Sequence, residues 1–423
     1  MEARQLAQVV EPWSACHGLS SFADELRNFK EFGSETRVER FLDPEIDLPV
    51  FVNEFWTSKQ RVASSLHEIS YRACFKPPLP RFFISRLTRP GELVYDPFMG
   101  RGTTLLEAGL LGRRAAGCDI NPLSQRLLAP RFDPPTESEV ADRLAHLGVM
   151  NSDVSEYDEL LAFYHPRTLG HLVGLRDYFR ERESTGDLDA VDGWIRMVAT
   201  NRLTGHSPGF FSVYTLPPNQ AVPVESQRKI NQKRQQVPPS REVNAIILKK
   251  TRALLKKINA EELQRLRVVT KDAMLFTGSC DETPQMSSDS VSLVVTSPPF
   301  LDVVDYREDN WLRCWFNGLD VESLPIWQLR NVDDWKAAMT RVFVELRRIL
   351  KPGGYVAFEV GEVRGGKVLM EELVVPAAKC AGLEPQLVVV NDQMFTKTAN
   401  CWGVSNSKMG TNTNRIILLR KVG

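Results

Sequence analysis

Hydrophobic residues change their spacing along the chain, and between residues 92 and 119 the spacing predicts a strand, a helix and a second strand. Glu92–Asp96 and Arg114–Asp119 are short, largely apolar runs typical of strands, and Thr103–Gly112 repeats its apolar residues at helical spacing. A β-α-β unit of this length predicts parallel strands in a doubly wound sheet. The pattern therefore indicates an α/β fold.

The alternation stops after residue 134 and returns at residue 267. Between them lie long helical patterns, such as Glu159–Glu181 and Ala190–Arg202, and one irregular stretch rich in Pro, Gly, Asn and Gln, Thr204–Ser240. After residue 266 we expect strands at Arg267–Val269, 291–296, Gly354–Val360, Leu387–Val390 and Arg415–Leu419. We also expect a helix at Trp335–Leu350.

These changes of pattern divide the chain into four segments. Residues 1–50 are expected to be an N-terminal extension with one or two helices, and residues 51–134 the first part of the α/β domain, beginning with a helical pattern from Phe51 to Ser70. Residues 135–266 form a mainly helical insertion, and residues 267–423 supply the second part of the domain.

Composition indicates the size of the core and the cellular compartment, but it does not identify a function. The chain has 423 residues, enough for a large core, and its 53 basic residues balance 53 acidic ones. The 7 cysteines include no C-x-x-C pair and the 6 histidines have no ligand spacing, so we expect no metal site and a reducing compartment. With no signal peptide and no long apolar run, we expect a cytoplasmic protein without a membrane partner.

The first chemical motif is Asp96-Pro97-Phe98-Met99-Gly100-Arg101-Gly102-Thr103-Thr104, directly after the first predicted strand. Gly100 and Gly102 permit a tight turn close to a ligand, and the following helix starts at the crevice. The carboxylate of Asp96 would repel a phosphate but hold an amino or sulfonium group, which fits S-adenosylmethionine. The alternative is an ordinary tight turn.

Two further carboxylates are candidates for the same ligand. Asp119 ends the second predicted strand, where it can accept hydrogen bonds from both ribose hydroxyls, or instead cap the next helix. Asp272 follows the predicted strand Arg267–Val269 and is a candidate for the adenine amino group, its alternative being a surface turn residue.

The second motif is Thr296-Ser297-Pro298-Pro299-Phe300, after the apolar run Ser292–Val295. The prolines remove two backbone donors and stiffen the loop, so carbonyl oxygens are free to face inwards. The Ser297 hydroxyl and the Pro298 carbonyl can accept hydrogen bonds from an exocyclic amine while Phe300 stacks on the base. A base buried in a duplex would have to flip out to reach such a slot. The alternative is a proline-stiffened turn with Phe300 in the core.

Together the motifs resemble those of the amino-methyltransferases that act on DNA, the enzymes that make N4-methylcytosine or N6-methyladenine. The first is similar to the family's D-P-F-x-G-x-G-T-T cofactor motif, with Arg101 where a small residue is more usual. Asp119-Ile120-Asn121-Pro122 resembles its ribose-binding segment, and Lys76-Pro77-Pro78-Leu79-Pro80 resembles the region that closes over the methionine part. The second motif is similar to the catalytic [DNS]-P-P-[YFW] loop, in which serine is commoner among cytosine-N4 enzymes.

The resemblance covers roughly residues 60–130 and 267–420 and implies a Rossmann-like methyltransferase fold, with seven mixed strands and an antiparallel C-terminal hairpin. It implies S-adenosylmethionine contacts from Asp96, Pro97, Phe98, Gly100, Gly102, Thr103, Thr104, Asp119, Ile120 and Asn121, with Asp272 as a further candidate. It implies catalytic roles for Ser297, Pro298, Pro299 and Phe300.

The insertion is the candidate reader of nucleic acid. From Asn201 to Arg267 there are thirteen Lys/Arg and four Asp/Glu. The candidate DNA-binding residues are Arg228, Lys229, Lys233, Arg234 and Arg241. A charge run usually forms a solvated helix surface, which is the alternative. Many relatives of the resembled family place their recognition region elsewhere in the chain. The aromatic residues of Thr204–Phe211 either wedge into stacked bases or pack under the loop, and Trp311 and Trp315 either shape a base pocket or pack a helix.

The sequence therefore predicts a site-specific DNA methyltransferase that modifies an exocyclic amine, with cytosine N4 favoured over adenine N6. An RNA base amino-methyltransferase is the second hypothesis, and a nucleic-acid-binding protein that keeps the fold without activity is the third. DNA is the expected partner, and a cognate restriction or defence nuclease would accompany a role in host defence.

Overall fold

The computed structural model describes residues 19–43, 46–57, 63–71, 74–215, 221–299, 306–327, 329, 331–360, 370–392 and 413–423. Its strands are β1 (Arg37–Asp43), β2 (Ile46–Asn53), β3 (Leu93–Asp96), β4 (Arg114–Asp119), β5 (Met274–Thr277), β6 (Val291–Thr296), β7 (Leu350–Val360), β8 (Glu384–Asp392) and β9 (Thr413–Arg420).

The helices within these ranges fall into two groups. Those before β5 are α1 (Leu19–Asn28), α2 (Pro78–Leu87), α3 (Thr103–Leu110), α4 (Leu123–Phe132), α5 (Glu137–Leu147), α6 (Pro166–Thr185), α7 (Ala190–Thr200), α8 (Val224–Arg234), α9 (Val243–Leu255) and α10 (Ala260–Thr270). Those after β6 are α11 (Tyr306–Phe316), α12 (Val332–Ile349) and α13 (Glu371–Cys380), and short 3-10 turns occupy Ser65–His67 and Ser155–Ala162.

One mixed sheet organises the molecule, in the order β1-β2-β8-β9-β7-β6-β3-β4-β5. Strands β3 to β7 are parallel to their neighbours among themselves, and β9 runs antiparallel to both β7 and β8. The α/β prediction and the antiparallel C-terminal pair are confirmed. Helices cover both faces, so β3 and β6 are buried along their whole length and read as continuous apolar runs.

Across the residues that the structure describes, the sheet has nine strands, not the seven that were predicted. The two additional strands, β1 and β2, come from the segment expected to be a helical extension, and β2 pairs in parallel with β8. The helical prediction from Phe51 is also wrong at its start, because Phe51–Asn53 belongs to β2. Phe51 packs into the core on one face while Val50 and Val52 pack on the other, so burial on both faces produced an unbroken apolar run.

The strand predicted at Arg267–Val269 is wrong as well. These residues lie in α10, which begins with a capping box formed by Asn259 and Glu262. Leu266 and Val269 are its buried residues, at helical spacing. The next strand is β5, beside β4, and the regular elements described between β4 and β5 are helices joined by irregular segments.

Metal-ligand clusters and membrane-spanning helices are both absent from the described residues. No three His, Cys, Asp or Glu side chains there converge as a metal site would require. No helix in the described part of the chain combines the length and the apolar character needed to cross a membrane.

Candidate active site

The two motifs lie side by side because β3 and β6 are neighbours at the point where the strand order reverses. Tyr95 pairs with Val294, so both motifs leave the sheet at the same edge. The Thr296 hydroxyl donates to Asp96 Oδ1 at 2.6 Å, and the Thr104 hydroxyl donates to the Val295 carbonyl at 3.0 Å. These bonds join the glycine turn after β3 directly to β6.

The glycines of the first turn are required by backbone geometry and by packing. Gly100 has φ +49° and Gly102 φ +76°, in the region that glycine adopts most easily. A Cβ on Gly102 would lie 2.6 Å from the nearest Leu128 side-chain carbons. The turn therefore leaves no room for a larger residue at position 102.

Arg101, larger than the residue usual at its position, is accommodated because its side chain is bound to other parts of the protein. Its guanidinium donates to the Ile69 carbonyl at 2.7 Å and to the Thr103 hydroxyl at 3.1 Å. The buried guanidinium of Arg131 donates to the Arg101 carbonyl. This departure from the family motif thus braces the turn against residues 67–69.

Asp119 joins the turn to the end of β4. Its Oδ2 accepts the Gly100 N–H at 2.8 Å, and its Oδ1 accepts the Asn121 N–H at 2.9 Å. Burial raises the pKa of this carboxyl, and the two backbone donors oppose the rise. Each carboxylate oxygen has a second lone pair, so both can still accept a hydroxyl.

Asp96 lies behind the turn. Its Oδ1 also accepts the Phe98 N–H at 3.1 Å, and burial raises the pKa of Asp96 to about 7 against these hydrogen bonds. With 2% of its surface exposed, the carboxyl holds the loop and is not part of the cavity wall.

A cavity of about 790 Å³ opens at the shared edge of the sheet. It is lined by Tyr71, Cys74, Pro97, Phe98, Gly100, Asp119, Ile120, Asn121, Gly278, Ser279, Cys280, Ser297, Pro299, Tyr306, Asn310, Ile326 and Trp327. Phe98 and Pro299 are both present, so the two motifs meet at one cleft. This volume includes space open to solvent, and its lining combines apolar and aromatic side chains with a few polar groups, as is typical of small-molecule sites.

The predicted cofactor residues divide into two groups. Pro97, Phe98, Gly100, Asp119, Ile120 and Asn121 line the cavity, whereas Asp96, Gly102, Thr103 and Thr104 are buried around it. Of the predicted catalytic residues, Ser297 and Pro299 line the cavity and Pro298 is buried beside them. Phe300 lies outside the described residues.

The structure contradicts the basis for choosing Asp272. This residue is exposed and precedes β5, at the amino ends of the parallel strands, whereas the cavity opens at their carboxyl ends. The carboxyl end of β5 is followed by Gly278, Ser279 and Cys280, which line the cavity. The misplaced strand at 267–269 caused this error.

The serine-proline loop is held by two buried residues that the sequence reading missed. Trp335, on α12, donates its indole N–H to the Pro299 carbonyl at 3.1 Å. Glu359, on β7, accepts a hydrogen bond from Asn414 Nδ2 at 2.7 Å and another from the Ser297 hydroxyl. Burial raises the pKa of Glu359, and these two bonds oppose the rise. A lone acidic residue in the apolar run Gly354–Val360 was the available signal.

The aromatic cavity residues Tyr71 and Trp327 were also missed, because each lies in an irregular segment between elements. The Phe98 and Trp327 rings meet edge to face at 6.3 Å between centroids. Trp311 and Trp315 do not line this cavity. Trp311 packs near Phe163 and Trp315 against Tyr157, which favours the helix-packing alternative.

Four of the candidate DNA-binding residues lie on α8, and Arg241 lies two residues before α9. Arg228, Lys229, Lys233 and Arg234 are exposed, and Arg241 is half-buried. Arg228 pairs with Glu225, and the Arg234 guanidinium lies 3.7 Å from the Tyr214 ring centroid. The neighbouring amides are used internally: Gln227 and Gln236 both donate to the Tyr214 carbonyl, and Asn231 to the Ala162 carbonyl.

The loop Thr204–Phe211 resolves one of the open alternatives. Phe210 and Phe211 are buried, at 7% and 0% exposure, so they pack under the loop and present no wedge to a base stack. The guanidinium of Arg202 lies 4.1 Å from the Phe210 ring centroid, on the loop's inner side.

Comparison with known proteins gives partial matches. Residues 26–128 match the family model described as DNA methylase. The chain is 36% identical over 131 residues to the type II methyltransferase M.MvaI of Kocuria varians, covering 30% of this chain and 25% of that protein. It is 39% identical over 54 residues to the type II methyltransferase M.MjaII of Methanocaldococcus jannaschii, covering 13% and 10%.

A third relative is named as an enzyme that methylates tRNA. The tRNA (guanine(10)-N2)-dimethyltransferase of Methanocaldococcus jannaschii is 36% identical over 63 residues, covering 15% of this chain and 18% of that protein. The chain therefore matches a quarter or less of the length of each of these three proteins.

Proposed function

We infer that this chain, whose residues 26–128 belong to the DNA methylase family, transfers a methyl group from S-adenosylmethionine to an exocyclic amine of a DNA base. The observation that carries the proposal is that the glycine turn after β3 and the serine-proline loop after β6 line one cavity. A methyl donor against the first and a base against the second would bring the reacting atoms together.

The cofactor side fits S-adenosylmethionine by its donors and acceptors. Asp119 is fixed by the N–H groups of Gly100 and Asn121 and retains lone pairs for the two ribose hydroxyls. Phe98 and Ile120 offer apolar contact for the adenine, and Ser279 offers a hydroxyl near its edge. When bound, the sulfonium supplies an electrophilic methyl group with a neutral thioether as leaving group.

On the substrate side, Ser297 is the orienting residue. Because its hydroxyl donates to Glu359, its lone pairs are directed away from that carboxylate and remain available to an amine N–H. A hydroxyl that instead donated to the amine would occupy the nitrogen lone pair needed for attack. Glu359 thus keeps Ser297 an acceptor, and Trp335 holds the loop so that the Pro298 carbonyl can act as the second acceptor.

Cytosine N4 is the expected methylated atom, since serine heads the loop, and adenine N6 is the alternative. The exposed cations of α8, with Arg241, are proposed to contact DNA phosphates, and Phe300 is proposed to stack on the flipped base. A type II role would pair the protein with a nuclease of the same recognition sequence.

An RNA base amine is the second candidate substrate, favoured by the match to the tRNA dimethyltransferase. Tritiated methyl transfer to unmethylated DNA and to total RNA, with Ser297→Ala as control, tests both. Nucleoside mass spectrometry of the product would then identify the base and atom. We expect label in DNA as N4-methylcytosine. Label in RNA alone would transfer the proposal to RNA, and no label in either polymer would overturn it.

A further inference from the structure

Two cations of the insertion lie beside the segment that leads into the cavity. Arg202 directly follows α7 and Lys250 lies on α9, and these helices are joined by the Trp194 indole N–H, which donates to the Thr251 hydroxyl at 3.0 Å. Asn201, next to Arg202, accepts the Ser70 N–H through its side chain. Residue 71, the next along the chain, is part of the cavity wall.

The path from the cations to the cavity is short. Glu68 acts electrostatically on Lys250, which places residue 68 near this lysine. Three residues of extended chain span at most about 11 Å, so residues 68 and 71 are within that distance of each other. The cations thus lie next to residues 68–71, the segment that leads into the cavity wall.

Both cations are half-buried without a strong counter-ion. In the described part of the chain, neither Arg202 nor Lys250 forms a salt bridge. Burial lowers the pKa of Lys250 to about 8, with Arg202 adding a repulsive contribution, and burial lowers the pKa of Arg202 to about 10. Holding two like charges together in a partly desolvated place is unfavourable, and a bound anion would offset this cost.

Arg202 is also held in a geometry suited to a phosphate. Its guanidinium stacks on Phe210 and its Nε donates to the Asn201 carbonyl at 2.9 Å. These contacts fix the guanidinium plane and leave the two terminal nitrogens for a ligand, and a planar fork matches a phosphate bidentately. The loop Thr204–Phe211 therefore supplies the aromatic ring on which the Arg202 guanidinium stacks.

We propose that Arg202 and Lys250 bind a backbone phosphate of the substrate strand next to the nucleotide that enters the cavity. The proposal rests on the function proposed above, because it takes the cavity to receive a flipped base. A base that leaves the stack needs its flanking phosphates held, and a cation pair at the cavity mouth supplies that hold.

The test is the salt dependence of DNA binding by the full chain. Anisotropy titrations with a fluorescent duplex, and with the same strand unpaired, compare the wild type with Lys250→Gln. The matched control is Lys271→Gln, which removes the same charge from an exposed site before β5. Loss of one phosphate contact lowers the slope of log K against log salt by about 0.9 for duplex DNA, which is about eightfold in affinity at 0.1 M salt.

We expect this loss for Lys250→Gln and none for Lys271→Gln, with S-adenosylmethionine affinity equal in both. Arg202→Lys keeps the charge, so its slope should stay near the wild-type value while affinity falls. Equal slopes for Lys250→Gln and Lys271→Gln would overturn the proposal, as would a slope change seen only with RNA of the same sequence. Binding is measured without turnover, so a failure of the methyl-transfer assay is distinguishable from a failure here.

Discussion

The two strand ends that form the cavity are built in opposite ways. At the end of β3, the turn satisfies its own backbone: Gly100 donates to Asp119 and Phe98 donates to Asp96. At the end of β6, two prolines have no N–H to donate, and the loop is held instead from outside by Trp335. The first end is a closed network, and the second presents acceptors.

In the proposed methyl transfer, this difference would separate two tasks. A closed turn holds a cofactor of constant shape, so it depends on exact backbone geometry and tolerates little change. An end that presents acceptors aligns a reacting amine, so it depends on a few polar atoms and their partners. Substitutions at the first should impair folding and cofactor binding, and substitutions at the second should impair turnover.

The largest expected effect is on the closed turn. Gly102→Ala introduces a Cβ 2.6 Å from Leu128 at φ +76°. Left-handed strain and overpacking together should lower the free energy of unfolding by about 3 kcal/mol. Gly91→Ala is the matched control, because Gly91 has φ +82° but nothing within 4 Å of a built Cβ, and it should cost about 1 kcal/mol. Urea unfolding of both variants measures the difference, and equal losses would mean that packing at Leu128 is unimportant.

A crossed pair of variants tests the division of tasks. Ser297→Ala should lower turnover by about a hundredfold with little change in S-adenosylmethionine affinity, because it removes an orienting acceptor. Asp119→Ala should weaken the cofactor by about a hundredfold, since it leaves two N–H groups and the ribose without an acceptor. Equilibrium dialysis and single-turnover rates separate the two quantities. Similar losses of both quantities in both variants would contradict the assignment.

A smaller effect is expected behind the catalytic loop. Glu359→Gln replaces the carboxylate that accepts the Ser297 hydroxyl, and turnover should fall about tenfold while cofactor affinity is retained. In the wild type, burial raises the pKa of Glu359, so the rate should decline with falling pH above the range of an ordinary carboxyl. The variant should lack this acidic decline. Glu384→Gln, at an exposed position of β8, is the control and should keep the wild-type profile.

The smallest effect at any one pH unit concerns Asp96 and accumulates with pH. Because burial raises its pKa to about 7, the folded chain binds more protons than the unfolded chain between about pH 4 and 7. The free energy of unfolding should therefore fall as pH rises through this interval, by at most about 1.4 kcal/mol per pH unit from this group, and level off above it. Asp96→Asn should flatten the slope in urea unfolding across this range. An unchanged slope would assign it to Asp119 and Glu359, which shift in the same direction.

The parts of the candidate site that are formed by residues close together in the sequence could be predicted from that sequence. Between Glu92 and Leu110, the strand and the helix follow from the spacing of apolar residues, and the turn follows from two glycines, which have positive φ in the structure. Asp119 could be identified because it ends the next strand, β4. Each motif was also expected directly after a strand, and the two share one edge of the sheet because β3 and β6 are parallel neighbours at the reversal point.

The remaining features depend on contacts between distant segments. Glu359, Trp335 and Asn414 reach the serine-proline loop only through the tertiary fold, and no spacing in the sequence connects them to it. The Asp272 error had a local cause, since a helix with two buried apolar residues was interpreted as a strand. Strand β2 was missed because burial on both faces removes the alternation that identifies an ordinary strand. Strand β1 was missed for the opposite reason, since it lies at the exposed edge of the sheet, where even Val38 and Leu42 are exposed and no buried face leaves a pattern.

The position of β9 has a consequence for biosynthesis. This strand inserts between β7 and β8 and brings Asn414 to the carboxylate of Glu359. A nascent chain that has emerged as far as residue 360 carries both motifs in full, yet it lacks the amide that shares the Glu359 hydrogen bonds with Ser297. Glu359 therefore gains its second hydrogen-bond donor only after residues 413–420 have left the ribosome, and a fragment that stops short of residue 414 would keep both motifs without the strand that separates β7 from β8.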